Sequence, residues 1–254
     1  MLTVSRSTKW LVTHRQVSSG VRLICFPYAG GGASVFRSWS HDSMLSGVEV
    51  CAVQFPGREA RITESPVDDM HRLVFLLREG LEPYLDRPFA FFGHSIGALV
   101  SFELARELRR TCGIQPCHLF VSGCPAPHLP HSERMWDLPD EEFLERLCRF
   151  NGTPPEVLNH PELMDMMLPT IRADFALRDR YVYREEPPLN CSITAFGGMS
   201  DQHVSGADLR AWRQHTRERF KFWLFQGDHF FLRSAQETML ESLFSELAAQ
   251  GLVR

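Results

Sequence analysis

The segment Phe89-Ala-Phe-Phe-Gly93-His94-Ser95-Ile96-Gly97-Ala-Leu99-Val100 holds a G-x-S-x-G pattern between an apolar run and an apolar helical repeat. Phe89 to Phe92 reads as a buried strand, and Leu99, Val100, Leu104 and Leu108 fall at helical spacing beyond it. A serine on so sharp a strand-to-helix turn needs small residues two positions to either side, because side chains there would collide. The pattern therefore sets Ser95 above the end of a strand, at a helix N-terminus, as a candidate nucleophile.

The same alternation extends in both directions. Val21 to Phe26 and Val48 to Phe55 precede the segment, and Leu119 to Ser122, Ile193 to Phe196 and Phe220 to Phe225 follow it. Between the second and third runs, Asp69 to Leu85 carries Leu73, Leu76, Leu77 and Leu81 at helical spacing. Ser234-x-x-Glu237 predicts a capping box that opens a last helix through Leu240, Leu243, Phe244 and Leu247. Strands alternating with crossover helices predict an α/β fold, a mostly parallel central sheet of at least six strands flanked by helices. The interval from Cys124 to Pro188 has prolines and helical segments but no convincing strand. It reads as a helical cap inserted at about 124–188 into a single domain spanning 1–254. Pro139 stands near the start of one of its helices, and Asn159 with Glu162 predicts a capping box for the next.

A chain of 254 residues with 44% hydrophobic and 23% charged residues has the composition of a globular domain able to bury a site. Twenty-seven Lys and Arg against 31 Asp and Glu give a net charge of -4, which argues against nucleic-acid or anionic-lipid partners. The seven cysteines are scattered with no C-x-x-C, fitting reduced thiols better than a disulfide framework or zinc ribbon. With no signal-like N-terminus and no apolar run of about 18 residues, the expectation is a cytoplasmic protein without a membrane span.

A serine hydroxyl attacks only when a base takes its proton, and in this fold class the partners follow in the order Ser, acid, His, on loops after strands. Asp201 follows Gly197-Gly198 after the Ile193 run, and His229 follows the Phe220 run, so His229 is the candidate base and Asp201 its orienting acid. Asp228 is the rival acid, but a sequence neighbour of the histidine is badly placed to reach its far ring nitrogen. His203 is the other candidate base, though it shares a loop with the proposed acid. His94, flanking the serine, reads as structural. The oxyanion of an acyl-transfer transition state needs two backbone donors. The Ile96 N–H is one, and the loop Pro27-Tyr28-Ala29-Gly30-Gly31-Gly32 should supply the other, from Ala29 or alternatively Tyr28. The same glycines are a weak match to a dinucleotide turn, since Val35 occupies the third glycine position and Glu49 starts, rather than ends, the next strand. No Lys-Ser or Lys-Thr follows them, which excludes a P-loop.

Phe26-Pro-Tyr-Ala-Gly-Gly, Gln54-Phe-Pro-Gly-Arg-Glu59, Gly93-His-Ser-Ile-Gly-Ala98, Phe196-Gly-Gly with Asp201, and Gly227-Asp-His-Phe-Phe-Leu232 together span nearly the whole chain. In this order they resemble the type II (external, editing) thioesterases of polyketide, nonribosomal peptide and fatty acid synthesis, members of the α/β-hydrolase superfamily. The resemblance implies hydrolysis of acyl groups from the phosphopantetheine thioester of an acyl or peptidyl carrier protein, which clears stalled or misprimed synthases. It maps the triad onto Ser95, Asp201 and His229 and the oxyanion donors onto Ala29 and Ile96. Ile96 stands where the family commonly has Met or Leu.

No cofactor is expected beyond the phosphopantetheine of the substrate, no metal, and a monomer as the working form. The residues alone do not choose a thioester over an oxygen ester. A carboxylesterase or medium-chain fatty acyl thioesterase is the alternative enzyme, and a catalytically silent α/β-hydrolase-fold binding protein is the alternative from another class. Tyr28, Phe230, Phe231 and Met167, with Met164 and Met166, are candidates to line an acyl pocket, although methionines on helices more often pack. Arg58 and Glu59 read as an ion pair bracing their turn or as a contact for the pantetheine arm. Arg178, Arg180 and Arg184 read as a basic face for an acidic carrier or as a solvated helix surface.

Overall fold

A computed structural model describes residues 9–17, 20–45, 47–130, 134–152 and 160–253. Its strands are β1 (Leu11–Thr13), β2 (Val21–Phe26), β3 (Val48–Val53), β4 (Phe89–His94), β5 (His118–Ser122), β6 (Ser192–Gly198) and β7 (Phe220–Phe225). Its helices are α1 (Met70–Leu81), α2 (Ile96–Cys112), α3 (Asp140–Cys148), α4 (Pro161–Asp179), α5 (Gly206–Arg210), α6 (Phe231–Ser234) and α7 (Gln236–Ala248). The strands form one sheet in the order β1-β3-β2-β4-β5-β6-β7. Every neighbouring pair is parallel except β1 against β3.

The six predicted strands are all present, and β1 is a seventh whose three residues are too few to show a period. β2, β3, β4 and β5 are buried along their whole length, as expected of strands covered on both faces. Alternation divides their side chains between two cores. Ile24, Phe26 and Phe91 face the layer of α1 and α2, with Leu73, Leu77, Leu99 and Leu104. Val21, Leu23, Cys25 and Phe92 face α7, with Met239, Leu240 and Leu243, and the aromatics Phe36 and Trp39. Each fully buried Leu or Phe contributes about 1.5–3 kcal/mol relative to exposure, so the two layers hold the sheet between them.

Three boundaries differ from the sequence reading. The predicted helix over 69–85 is α1, capped by Asp69 accepting the Arg72 N–H at 2.8 Å, followed by a separate 3-10 turn at Glu82–Tyr84. Pro83 is the reason, since it has no N–H to continue the ladder. β3 ends at Val53 because the Gln54 side chain turns to accept the Ala33 N–H and to donate to the Arg58 carbonyl. The Ser234 and Glu237 capping box does not form. Burial of Phe231 and Leu232 draws Ser234 into α6, and α7 starts from Ala235 with no side-chain cap. The Asn159 cap lies outside the described residues. No helix among the described residues is long and apolar enough to cross a membrane, and all seven cysteines are unbridged.

The chain runs from β2 outward to β3, then returns to place β4 on the other side of β2. Strand order therefore reverses between β2 and β4, and the crevice beyond their C-terminal ends is where an open α/β sheet binds ligands. Helices α3 and α4 lie between β5 and β6 in sequence, and among the described residues of 124–188 there is no strand. They share a small core of their own, built from Met135, Phe143, Leu147, Met164, Ile171 and Phe175.

Candidate active site

The turn from β4 into α2 puts Ser95 at φ 54°, ψ -123°, a conformation that an L-residue holds only under strain. The strain is sustained by its surroundings. The Ser95 N–H donates to the Ser122 carbonyl at 2.7 Å, and the helix packs so closely that a Cβ on Gly93 would stand 2.3 Å from the Gly97 carbonyl oxygen. A Cβ on Gly97 would stand 2.3 Å from the Phe26 oxygen and 2.6 Å from that of Pro27. Only glycines at both positions allow α2 to start directly behind the end of β2.

His229 and Asp201 come together as the chain order predicts. His229 Nδ1 lies 2.8 Å from Asp201 Oδ2, and their side chains are 5% and 0% exposed. Asp201 Oδ1 accepts the N–H groups of His203 at 2.8 Å and Val204 at 3.2 Å. Burial works against ionisation of Asp201, but the hydrogen bonds from His229 and those two amides hold its carboxyl below the usual carboxylate range. The carboxylate is therefore fixed as an acceptor for Nδ1–H, which leaves Nε2 as the unprotonated ring nitrogen of a histidine that lines one cleft with Ser95. Among the described residues no hydrogen bond joins the Ser95 hydroxyl to His229. Ala29 and Ile96 both line the chamber at Ser95, and their backbone N–H groups likewise have no acceptor among the described residues.

The rivals are placed elsewhere. Asp228 accepts the Phe230 N–H at 2.8 Å and faces Asn151 at 3.3 Å. His203 stacks on Phe150 with ring centroids 3.8 Å apart. His94 is wholly buried with Nδ1 2.9 Å from Ser122 Oγ, and its ring lies beneath His229 at 5.2 Å between centroids. Burial, with the neighbouring His229, holds it well below the ordinary histidine pKa, so it is a neutral packing element.

Around Ser95 a small chamber of about 40 Å³ is walled by Tyr28, Ala29, Phe150, Ile171, Phe175 and Phe230. On the side of the acid loop it shares walls with a cleft of about 410 Å³ lined by Arg149, Arg178, Gln202 and His203. On the side of the glycine loop it adjoins a cavity of about 360 Å³ lined by Tyr28, Gly32, Ile62, Met167 and Ile171. Tyr28 and Phe230 thus border the Ser95 chamber, and Met167 borders the adjoining cavity. Met164 packs in the α3–α4 core, Met166 is 52% exposed, and Phe231 is fully buried behind the sheet, so these three do not wall the chamber. Phe231 follows Phe230 on a short helix and so points the other way.

Arg58 and Glu59 do not pair with each other. Arg58 forms a buried bidentate pair with Asp174 of α4, whereas Glu59 accepts from Ser34. Arg178 pairs with Asp179 and Arg180 with Asp68, and of the two Arg178 borders the Ser95 chamber. Asp174 and Phe150 were not singled out from the sequence. The available signal for Asp174 was a lone acid on the apolar face that carries Ile171 and Phe175. Among the described residues no group of three His, Cys, Asp or Glu side chains is placed to hold a metal ion. Glu49, the residue nearest to a dinucleotide-site acid, is engaged by Arg22 and Arg87.

Comparison with known proteins bears on the chemistry this arrangement serves. The model of the thioesterase domain family matches residues 21–249. The chain is 44% identical over 249 residues to the gramicidin S biosynthesis protein GrsT of Aneurinibacillus migulanus, covering 97% of each chain. It is 46% identical over 245 residues to a protein of Brevibacillus parabrevis named linear gramicidin dehydrogenase LgrE, covering 94% of this chain and 93% of the other. Among solved structures it resembles the type II thioesterase BorB from the borrelidin biosynthetic cluster, with a TM-score of 0.87 at 35% identity over 96% of this chain and 99% of that one.

Proposed function

The chain belongs to the thioesterase domain family, and from that premise we propose that it hydrolyses acyl groups from the phosphopantetheine thioester of an acyl or peptidyl carrier protein, as a type II editing thioesterase of polyketide or nonribosomal peptide synthesis. The observation that carries the reading is the buried Asp201–His229 pair beside a strained Ser95, in a chamber lined by Ala29 and Ile96, whose backbone N–H groups have no acceptor among the described residues.

His229 Nε2 takes the Ser95 proton as Oγ attacks the thioester carbonyl. The carbonyl oxygen becomes an anion held by the N–H groups of Ala29 and Ile96, the second at the positive end of α2. The tetrahedral intermediate collapses, the carbon–sulfur bond breaks, and the imidazolium returns its proton to the pantetheine sulfur. His229 then takes a proton from water, the hydroxide attacks the acyl-serine, and the carboxylic acid leaves as the proton passes back to Ser95. Asp201 stays ionised throughout, holding Nδ1–H and stabilising the imidazolium.

Residues 124–188 serve as the cap, whose Phe150, Ile171 and Phe175 enclose the acyl group beside Tyr28 and Phe230. Met167 borders the adjoining space. The substrate brings phosphopantetheine, and the reaction as written takes no further cofactor. The enzyme works as a cytoplasmic monomer that visits carrier proteins.

The test is hydrolysis of one short acyl group presented on a phosphopantetheinylated carrier protein, on free pantetheine and as an oxygen ester, with Ser95→Ala as control. Fastest cleavage of the carrier-bound thioester and a dead variant support the reading. Preference for the oxygen ester overturns the substrate class, and full activity in Ser95→Ala overturns the nucleophile.

A further inference from the structure

A buried ion pair ties α4 to the loop after β3 without touching Ser95 or His229. Arg58 Nη1 donates to Asp174 Oδ2 at 2.6 Å and Nη2 to Oδ1 at 2.8 Å, with side-chain exposures of 7% and 3%. The same Oδ2 accepts the Gly30 N–H at 2.7 Å, and Arg58 Nη1 also donates to the Gly31 carbonyl at 3.2 Å. The Gly31 N–H in turn donates to the Tyr28 carbonyl at 2.9 Å, closing a turn around Ala29. The pair therefore grips the residues that immediately follow Ala29.

Cohesion alone does not account for an ion pair here, because two desolvated charges hold a helix to a core no better than well-packed apolar side chains. A carboxylate adds something apolar residues lack, a directed acceptor for a backbone N–H. Gly30 has φ +74° and no Cβ, so the Ala29–Gly30 peptide is poorly held by sterics and would rotate easily without Asp174. Asp174 also borders the Ser95 chamber, where an unpaired negative charge would oppose an oxyanion. Arg58 cancels that charge and leaves the acceptor geometry in place.

We infer that Arg58 and Asp174 are positioning residues for the hydrolysis, which couple the seating of α4 on the core to the orientation of the Ala29 N–H that receives the oxyanion. The inference rests on the roles proposed above for Ser95 and Ala29. Asp174→Asn keeps the size of the side chain but removes its charge, and Arg58→Lys keeps the charge but loses the fork. Asp140→Asn is the control, since the Asp140–Arg172 pair also fastens α4 but lies 72% exposed at Asp140, away from the glycine loop.

For carrier-bound thioester, Asp174→Asn and Arg58→Lys should each lower kcat about tenfold or more while KM moves less than about twofold, the signature of a transition-state interaction. The double variant should be no worse than the poorer single one, as expected of residues acting together. Asp140→Asn should change neither constant. Exchange of the Gly30 amide with deuterium should accelerate in Asp174→Asn, a readout that needs no turnover.

A fall in Tm with kcat intact, or a rise confined to KM, would reduce the pair to a structural brace and overturn the inference. Unchanged Gly30 exchange overturns it whatever the turnover. A wild-type protein without thioesterase activity would instead refute the proposed function, and the exchange measurement would still decide whether Asp174 holds the turn.

Discussion

Gly97→Ala is the substitution for which local and tertiary reasoning give opposite signs. Gly97 is the second residue of α2, and in a helix alanine is better than glycine by about 1 kcal/mol. On propensity alone the variant would be more stable. The tertiary structure says otherwise, because the new Cβ would stand 2.3 Å from the Phe26 carbonyl oxygen and 2.6 Å from that of Pro27. Both atoms are backbone, so no rotamer change relieves the contact, and the two segments must part by roughly 1 Å to reach ordinary separation. Such overpacking costs about 1–3 kcal/mol, which exceeds or cancels the propensity gain. Pro27 lies two residues before Ala29, so the displacement reaches the loop proposed to hold the oxyanion, where a misplacement of about 1 Å costs on the order of 100-fold in rate. Urea unfolding and kcat/KM on a carrier-bound thioester, measured on one preparation, should show a lower midpoint and a loss of about that size. A raised midpoint with full turnover would refute the argument that α2 is docked on the end of β2 too closely for a side chain.

Asp201→Asn should leave the fold intact and lower kcat by about 10⁴-fold, because the amide presents an N–H to Nδ1 and turns the wrong imidazole tautomer toward Ser95; a loss under about tenfold in a steady-state assay would transfer the acid's role to another residue. Glu49 tests the buried charges at the far end of the sheet. Burial opposes its ionisation, but Arg22 at 2.6 Å, together with Arg87, holds its pKa below 4.5. A folded-state value depressed below the unfolded one contributes stability above pH 4.5 and loses it as the pH falls through the folded value. Glu49→Gln should cost up to about 3–5 kcal/mol near neutral pH by taking from Arg87 its carboxylate partner and leaving Arg22 with Asp86 alone, and its stability should fall less steeply than the wild type's below pH 4.5 in denaturant titrations; parallel curves would dismiss Glu49 as the source.

Wherever function depends on short-range pattern, the chain was legible. The six longer strands announce themselves as apolar runs ending in glycine turns, and Ser95, Asp201 and His229 follow from chain order, since each sits at the end of one of those runs. β1 was not legible, because a three-residue edge strand has no period of its own and exists only by pairing Leu11 with Val53 and Thr13 with Cys51. The Ser234 cap failed for a related reason. Local capping chemistry lost to the burial of Phe231 and Leu232, which drew the serine into the preceding turn.

By itself, then, the sequence determined the class of fold and the strand ends on which Ser95, Asp201 and His229 stand, because strand and helix periods and turn glycines act over a few residues and leave their mark in order along the chain. Only the tertiary structure decided that Arg58 pairs with Asp174 rather than Glu59, that Phe230 borders the Ser95 chamber while Phe231 packs behind the sheet, and that Asp174 grips the glycine loop. Arg58 and Asp174 are 116 positions apart. A contact at that separation is set by where the sheet and α4 place two side chains, and no periodicity or spacing in the chain encodes it.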